Sequence, residues 1–338
     1  MSEVLATIAV PREVSPEALK QQAQAAAENE TIRAAFSTDR LRWDNVDWVV
    51  SIFLVGVHAG ALVAPFFFSW IGLATCLVFH WFTCSIGICL GYHRYLAHKS
   101  FKLRSPAKFM VLLAGSLSAE GSPLTWAATH RLHHQRSDRE GDPHSPLEGP
   151  WWSHLLWLFL KRKDHEQETL YRRYAPELVN DKMLLFFERS FAYLLWGQGL
   201  ALLGIGALIG GWPMAISMLL WGMCVRMVLA YHSTWFVNSA THLWGYRNYD
   251  TRDESRNLWW VAVLAYGEGW HNNHHAHPAV APAGHRWWEV DITWWSIRAL
   301  RTVGLAYDVR DRIPQGRGAN DAPMEPAMAV TSAGRMAG

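Results

Sequence analysis

Ten of the chain's 17 histidines fall into four short clusters. GYHRYLAH carries His93 and His98, THRLHHQ carries His130, His133 and His134, WFVNSATH carries Asn238 and His242, and GEGWHNNHHAHP carries His271, His274, His275 and His277. On a helix, residues at i, i+3 and i+4 share a face. Each H-x-x-H-H stretch (130/133/134 and 271/274/275) therefore aims three imidazoles in one direction, and Asn238 and His242 share a face as well. His93 and His98, five apart, lie roughly 140° from each other on an ideal helix. They can share a face only if the helix unwinds or ends there; the spacing predicts a helix end at this point, with the pair flanking a site rather than projecting together. Leaving His277 aside, the remaining imidazoles are too many for one tetrahedral zinc. They suit two transition-metal ions with about four or five nitrogen ligands each, and imidazole accepts Fe, Cu, Ni or Zn. Neutral nitrogen ligands without thiolates leave such ions strongly Lewis-acidic, and an open position would let the pair activate oxygen.

Other chemistry-bearing residues read as structural. His58, His80, His154, His165 and His285 stand outside the four clusters, where a histidine near an apolar helix is usually hydrogen-bonded packing. Cys76, Cys84, Cys89 and Cys224 lie in apolar runs with no C-x-x-C pair, as small buried hydrophobes in a reducing setting.

The elements that must position the histidines are membrane-like. Half of the 338 residues are hydrophobic, 18% are charged, and Trp contributes 20. A net charge of +2, with no basic stripe of interleaved aromatics, gives no footing for a nucleic-acid partner. Val49 to Tyr92 contains no Asp, Glu, Lys or Arg. It is about twice the ~20 residues that cross a bilayer once, with a break near Pro65–Trp70. Phe191 to Asn238 carries one charge, Arg226, and turns at Gly210-Gly211-Trp212-Pro213. The fold class expected is an all-α integral membrane protein with four transmembrane helices in two hairpins, about 48–68, 71–92, 191–210 and 213–235. Lys and Arg avoid the hairpin tips, so an N-terminal arm (1–42), the segments 93–190 and 236–312, and both termini face the cytosol. The two segments form a helical cap that gathers the histidines at the cytosolic mouth of the bundle. Phe109–Leu117 and Trp151–Leu160 are too short to span and read as helices lying on the membrane surface. QQAQAAAENETIRAAF reads as a helical arm without a signal peptide, and 313–338 as a disordered tail. Abundant Ala and an excess of Arg over Lys point to a bacterial inner membrane, with the endoplasmic reticulum as the alternative.

GYHRYLAHKSF, HRLHH, DPHSP, WFVNSATHLWGYRNYD, GEGWHNNHH and GLAYD, in that order, resemble membrane fatty-acid desaturases. The branch is the Δ9 one, with stearoyl-CoA desaturases and bacterial, cyanobacterial and plant acyl-lipid relatives. The likeness spans a desaturase domain of 43–312. It implies four transmembrane helices under a cytosolic cap and two iron ions on His93, His98, His130, His133, His134, His242, His271, His274 and His275. Asn238 would hold a water on the metal, while His277 and His144 would be no ligands. It further implies that O2 and a separate electron donor, a ferredoxin or b-type cytochrome, serve to place a cis double bond in an acyl chain. Such chemistry needs a dry, bent tunnel, for which Trp126 and Trp235 are candidate walls. Animal acyl-CoA desaturases carry Arg–Asp before the second box; here Ala128 and Thr129 stand there, so the carrier is open between acyl-CoA and a membrane lipid. Lys161-Arg162-Lys163 suits the phosphates of either, or simply anionic lipid. The rival enzyme is a lipid or alkane hydroxylase on a similar scaffold, and the non-enzyme rival a histidine-rich metal carrier.

Overall fold

A computed structural model describes residues 15–314; the tail expected for 313–338 lies, from 315 onward, outside the described residues. Ser15 caps the arm helix α1 (Pro16–Ala35) by accepting from Ala18 N, with Pro16 ready at its first turn. Asp47 caps α2 (Trp48–Val63), which ends in a tight turn at Ala64–Phe67. Ser69 then caps α3 (Trp70–Ala97), so the break falls at Pro65 as expected. α3 runs past the expected end at 92, and from Trp81 it is wound with i→i+5 bonds.

The wide turns of α3 are packed from the side by α4 (Ser105–Ser118). A Cβ on Gly87 would stand 2.4 Å from Gly115 N, and one on Gly115 would stand 2.3 Å from the Tyr92 ring. α4 contains the stretch expected to lie on the membrane surface, and one side of it packs on α3. Its small residues Ala107, Ala114, Gly115 and Ser118 bring its backbone against α3, burying half of the helix. The second such stretch breaks into a short helix and a turn, with Trp151 exposed and Trp152 buried.

Cap helices follow: α5 (Pro123–Arg136), α6 (Pro150–His154) and α7 (Asp164–Tyr174), the last packed on α1. Asp181 caps α8 (Lys182–Leu219), nine residues ahead of the span start expected at 191. Gly210 and Gly211 leave helical geometry, Gly211 at φ 67°. Beyond them the chain folds back: a Cβ on Gly206 would meet Ala215 Cα at 2.6 Å, and one on Gly222 the Leu202 side chain. The return leg passes through a wide turn at Leu220–Val225 into α9 (Arg226–Asn238) and α10 (Ala240–Leu243). Among the described residues, three helical runs are long and apolar enough to cross a membrane: Trp48–Phe67, Trp70–Ala97 and Lys182–Leu243, the last folded on itself at the glycine pair.

The remaining cap is α11 (Trp259–Leu264), α12 (His271–Ala276) and α13 (Ile292–Thr302), with β1 (Lys102–Leu103) pairing antiparallel to β2 (Ala306–Tyr307). Six residues make a marginal helix alone, so α12 is held by its two asparagines. Asn272 Oδ1 accepts from Asn248 N and Tyr249 N, and Asn273 Nδ2 donates to Ala283 O and Glu289 Oε2. In H-N-N-H-H the asparagines anchor the turn, which frees the histidines for the opposite face.

Candidate metal centre

The end of α3, the last turns of α5, α10 and α12 bring nine histidines into two groups. His93, His98, His130, His134 and His274 form one; His133, His242, His271 and His275 form the other. In each group one ring nitrogen per residue lies within 4.8 Å of the rest. These are the nine residues singled out by spacing. His93 and His98, however, do project together, with ring centroids 4.8 Å apart. The reason is the winding of α3: His98 N donates to His93 O at 3.1 Å, an i→i+5 bond that brings the two residues onto one side.

The donor set fits metal cations. His93 Nε2 lies 3.0 Å from His274 Nε2, which lies 3.0 Å from His134 Nε2; His98 and His130 meet at 2.8 Å, and His242 and His271 at 3.0 Å. Two ligands about 2.1 Å from one ion at right angles would be about 3.0 Å apart. Four of the rings turn their other nitrogen to a carboxylate: His93 Nδ1 to Glu268 (2.7 Å), His133 to Asp142 (2.9 Å), His242 to Asp138 (2.9 Å) and His275 to Asp253 (2.8 Å). The first contact is close but bent away from hydrogen-bond geometry. With the proton on Nδ1, each Nε2 presents a bare lone pair. The Nε2 atoms of His133 and His275 are buried without any protein partner, as metal-facing nitrogens should be.

Burial holds most of the five-histidine group, and His271, neutral. It drives His98, His130, His134, His271 and His274 well below the usual imidazole range, and the neighbouring imidazoles add to the effect. At His275 burial outweighs the upward pull of Asp253, whereas at His133 Asp142 outweighs burial. Burial opposes ionisation of the carboxylates, yet His133 brings Asp142 down to about 2 and Arg94 holds Glu268 below its usual range. Arg94 is itself fixed by both acids on its flanks, donating to Glu268 Oε1 (3.0 and 2.9 Å) and to both Asp291 oxygens (2.9 and 3.0 Å). Sequence reading missed Asp138, Asp253, Glu268 and Arg94, whose partners are mostly remote in the chain and carry no local signature.

Of the other histidines, His144 falls with His133 and Asp142 in a third cluster that could hold a cation. His277 faces Tyr249 and His285 and joins neither group. His144 stacks on His133 at 4.3 Å and takes its place through Asp142, to which its backbone N–H donates. His58, His232 and His154 form a hydrogen-bonded file (3.3 and 3.0 Å) that ends on Ser239 Oγ at 3.0 Å. His232, not singled out from sequence, is its middle member.

One apolar cavity reaches the five-histidine group at His130. Trp126, Trp235 and Asn238 line it together with Phe53, Leu54 and Tyr231. Trp126 stacks on the His130 ring at 5.0 Å, and Trp235 on Tyr231 at 5.5 Å. The histidine file backs Trp235, with His232 and His154 rings 5.0 and 5.6 Å from it. Glu120 was not anticipated: it lines the cavity, accepts from Thr234 Oγ1 at 2.9 Å, and burial pushes its carboxyl up to about 8. Arg162, also lining the cavity, stacks over Phe36 at 5.6 Å.

Residues 68–310 match the model of the family described as "Fatty acid desaturase". The chain is 46% identical to a sn-2 palmitoyl-lipid 9-desaturase of Nostoc sp. (strain 36), over 83% of this chain and 94% of that one. A sn-1 stearoyl-lipid 9-desaturase of Anabaena variabilis is 42% identical over 78% and 94%. An acyl-CoA C20 Delta5-desaturase of Anemone leveillei is 39% identical over 80% and 83%.

Proposed function

The chain belongs to the fatty acid desaturase family, and from that premise we propose that it places a cis Δ9 double bond in saturated acyl chains carried by a membrane lipid. It is a fatty acyl desaturase, an oxidoreductase of lipid metabolism. The observation that carries the reading is the apolar cavity lined by His130 and Asn238, through which an alkyl chain can approach the histidine groups. Two iron ions, held by the nine histidines with Asn238 holding a water, would supply the coupling of O2 reduction to removal of two hydrogens from the chain. In balance, the saturated chain, O2, two electrons and two protons give the alkene and two waters.

The protein's own part is positional. Trp126 and Trp235 wall the alkyl chain and keep water from it. Asp142, Asp138, Asp253 and Glu268 hold the rings of His133, His242, His275 and His93 with their Nε2 atoms inward. A lipid carrier is supported by the names of the Nostoc and Anabaena relatives and by Ala128 and Thr129, which offer no charge to a CoA phosphate. Electrons come from a separate ferredoxin or b-type cytochrome. The fold-back at Gly210–Gly211 supports four spans, and the Lys and Arg distribution supports cytosolic termini and cap, in a bacterial inner membrane.

Expression in a desaturase-deficient host, with double bonds localised in the extracted fatty acids, tests the reaction. Palmitoleate- or oleate-type chains are expected; hydroxylated chains would overturn it in favour of the hydroxylase. Feeding membranes labelled phospholipid against labelled acyl-CoA tests the carrier.

A further inference from the structure

The cap carries a band of large apolar side chains that nothing covers. Trp287 is 96% exposed, Trp259 and Val263 are 65% exposed, and Trp295 is 54% exposed. A patch of this kind on a water-facing surface marks an interaction site. Its elements are tied to one another. Trp270 Nε1 donates to Val290 O, and Thr293 donates to Tyr266 O from both its backbone N–H and its hydroxyl.

The same elements touch the spans below the histidines. Ala265 O accepts from Cys89 Sγ, one turn before His93 in α3. The Tyr266 hydroxyl meets His80 Nδ1 at 2.7 Å, thirteen residues before His93, and the ring packs beside Cys84 and Ala230. Ala230 lies eight residues before Asn238, roughly 12 Å down at 1.5 Å per residue. Ile297 of α13 packs on Ile86 and Leu90, and Trp260 of α11 meets Phe236 edge-on at 5.1 Å. Tyr266 holds φ 54°, a costly conformation for a bulky side chain, consistent with a turn driven down between α3 and α9.

We propose that α11, the Ala265–Gly267 turn, the Trp287–Val290 loop and α13 form a platform embedded in the lipid interface, which holds the histidine centre at headgroup level. The occupant is the bilayer because the elements carrying the band pack on α3 and α9 at His80, Cys89 and Ala230, all on the span side of the histidines. A soluble partner would dock above them. Tryptophan is the side chain suited to that depth, and the exposed Arg298 of α13 suits anionic headgroups. Arg286 lies over the Trp288 ring at 5.9 Å. The inference goes beyond the desaturase reading and rests on the hydropathy of the spans, so either can fail without the other.

The test is spin labelling at Trp287→Cys, Trp295→Cys and Val263→Cys. Cys224, the one native thiol that is not buried, is changed to Ser. Each chain is placed in nanodiscs of phosphatidylcholine with phosphatidylglycerol. Glu254→Cys, at an exposed polar position, is the aqueous control. Labels on the platform are expected to collide with O2 several-fold more, relative to a water-soluble nickel chelate, than the control label. A nickel-dominated response equal to the control overturns the proposal. So does nickel access that is lost only when an electron-donor protein is added, since the band would then be a protein-docking face. Trp287 is almost wholly exposed, so its variant tests the proposal without a folding penalty.

Discussion

Glu268→Gln isolates what a carboxylate behind a histidine contributes. Glu268 Oε1 takes two N–H groups of Arg94, and Oε2 faces His93 Nδ1 at 2.7 Å. Gln offers one carbonyl and one NH2. If the carbonyl serves Arg94, the NH2 faces His93 Nδ1 and forces the ring proton to Nε2, the atom aimed at His274. If the carbonyl serves His93, the NH2 faces the guanidinium. Breaking a buried ion pair costs roughly 3–5 kcal/mol. Asp291 keeps both of its contacts to Arg94, so about 2–3 kcal/mol is expected. Loss of a partner behind a ligand typically weakens metal binding roughly 10–100-fold, about 1.4–2.7 kcal/mol. The upper end is expected here because, among the described residues, Glu268 is the one carboxylate touching the five-histidine group. Asp253→Asn leaves two others behind the four-histidine group, and roughly tenfold is expected there. The assay is iron stoichiometry after graded chelation of the detergent-solubilised protein, with thermal unfolding in parallel. A Glu268→Gln protein that keeps its iron and its melting temperature as the wild type does would refute the reasoning.

Gly87→Ala should destabilise the fold by about 3 kcal/mol, because its new Cβ meets the backbone of Ala114 and Gly115, which has no rotamer to yield; thermal unfolding measures it. His232→Leu unpairs His58 Nε2 and His154 Nε2, costing roughly 1–3 kcal/mol for each group left buried. Trp235 loses its backing, so chain-length selectivity should broaden while iron content stays unchanged; an unaltered product profile counts against a role for the file. Burial pushes Glu177 up, but Arg131 and Lys99 outweigh it and bring the carboxyl to about 2. Its stabilising contribution is therefore complete above pH of about 4.5 and lost as pH falls towards about 2. Acid unfolding of Glu177→Gln should show a shallower slope across that window, and an identical slope would dismiss the pair.

The histidine centre was readable because ligand spacing on short helices is local: each H-x-x-H-H specifies its own face. The same logic misjudged His93 and His98, since an ideal helix is the wrong ruler where α3 is wound i→i+5, and nothing in GYHRYLAH announces that winding. Hydrophobicity marks FMVLLAGSL as apolar, but its close packing on α3 depends on Gly87 of that helix meeting Gly115, a tertiary contact with no local signal. The carboxylates were invisible because Asp138 and His242 stand 104 residues apart and meet only through tertiary structure. Trp126 and Trp235 do line one cavity, whereas Glu120, which lines it too, belongs to no motif that points to it.

The carboxylates around the histidines are unevenly shared. Asp138, Asp142 and Asp253 stand behind the four-nitrogen group, and Glu268 stands alone behind the five-nitrogen group, where Arg94 and Asp291 cancel. Two divalent ions would make the buried unit electrically neutral in total but polarised within. The four-nitrogen side would carry surplus negative charge, and the five-nitrogen side would carry surplus positive charge. In a low-dielectric interior such an imbalance acts strongly over a few ångströms. An incoming electron is best accommodated on the positive side, the side that contains His130 and opens on the cavity. The charge around each candidate site is thus set by carboxylates standing behind the rings, not by the groups that would touch an ion.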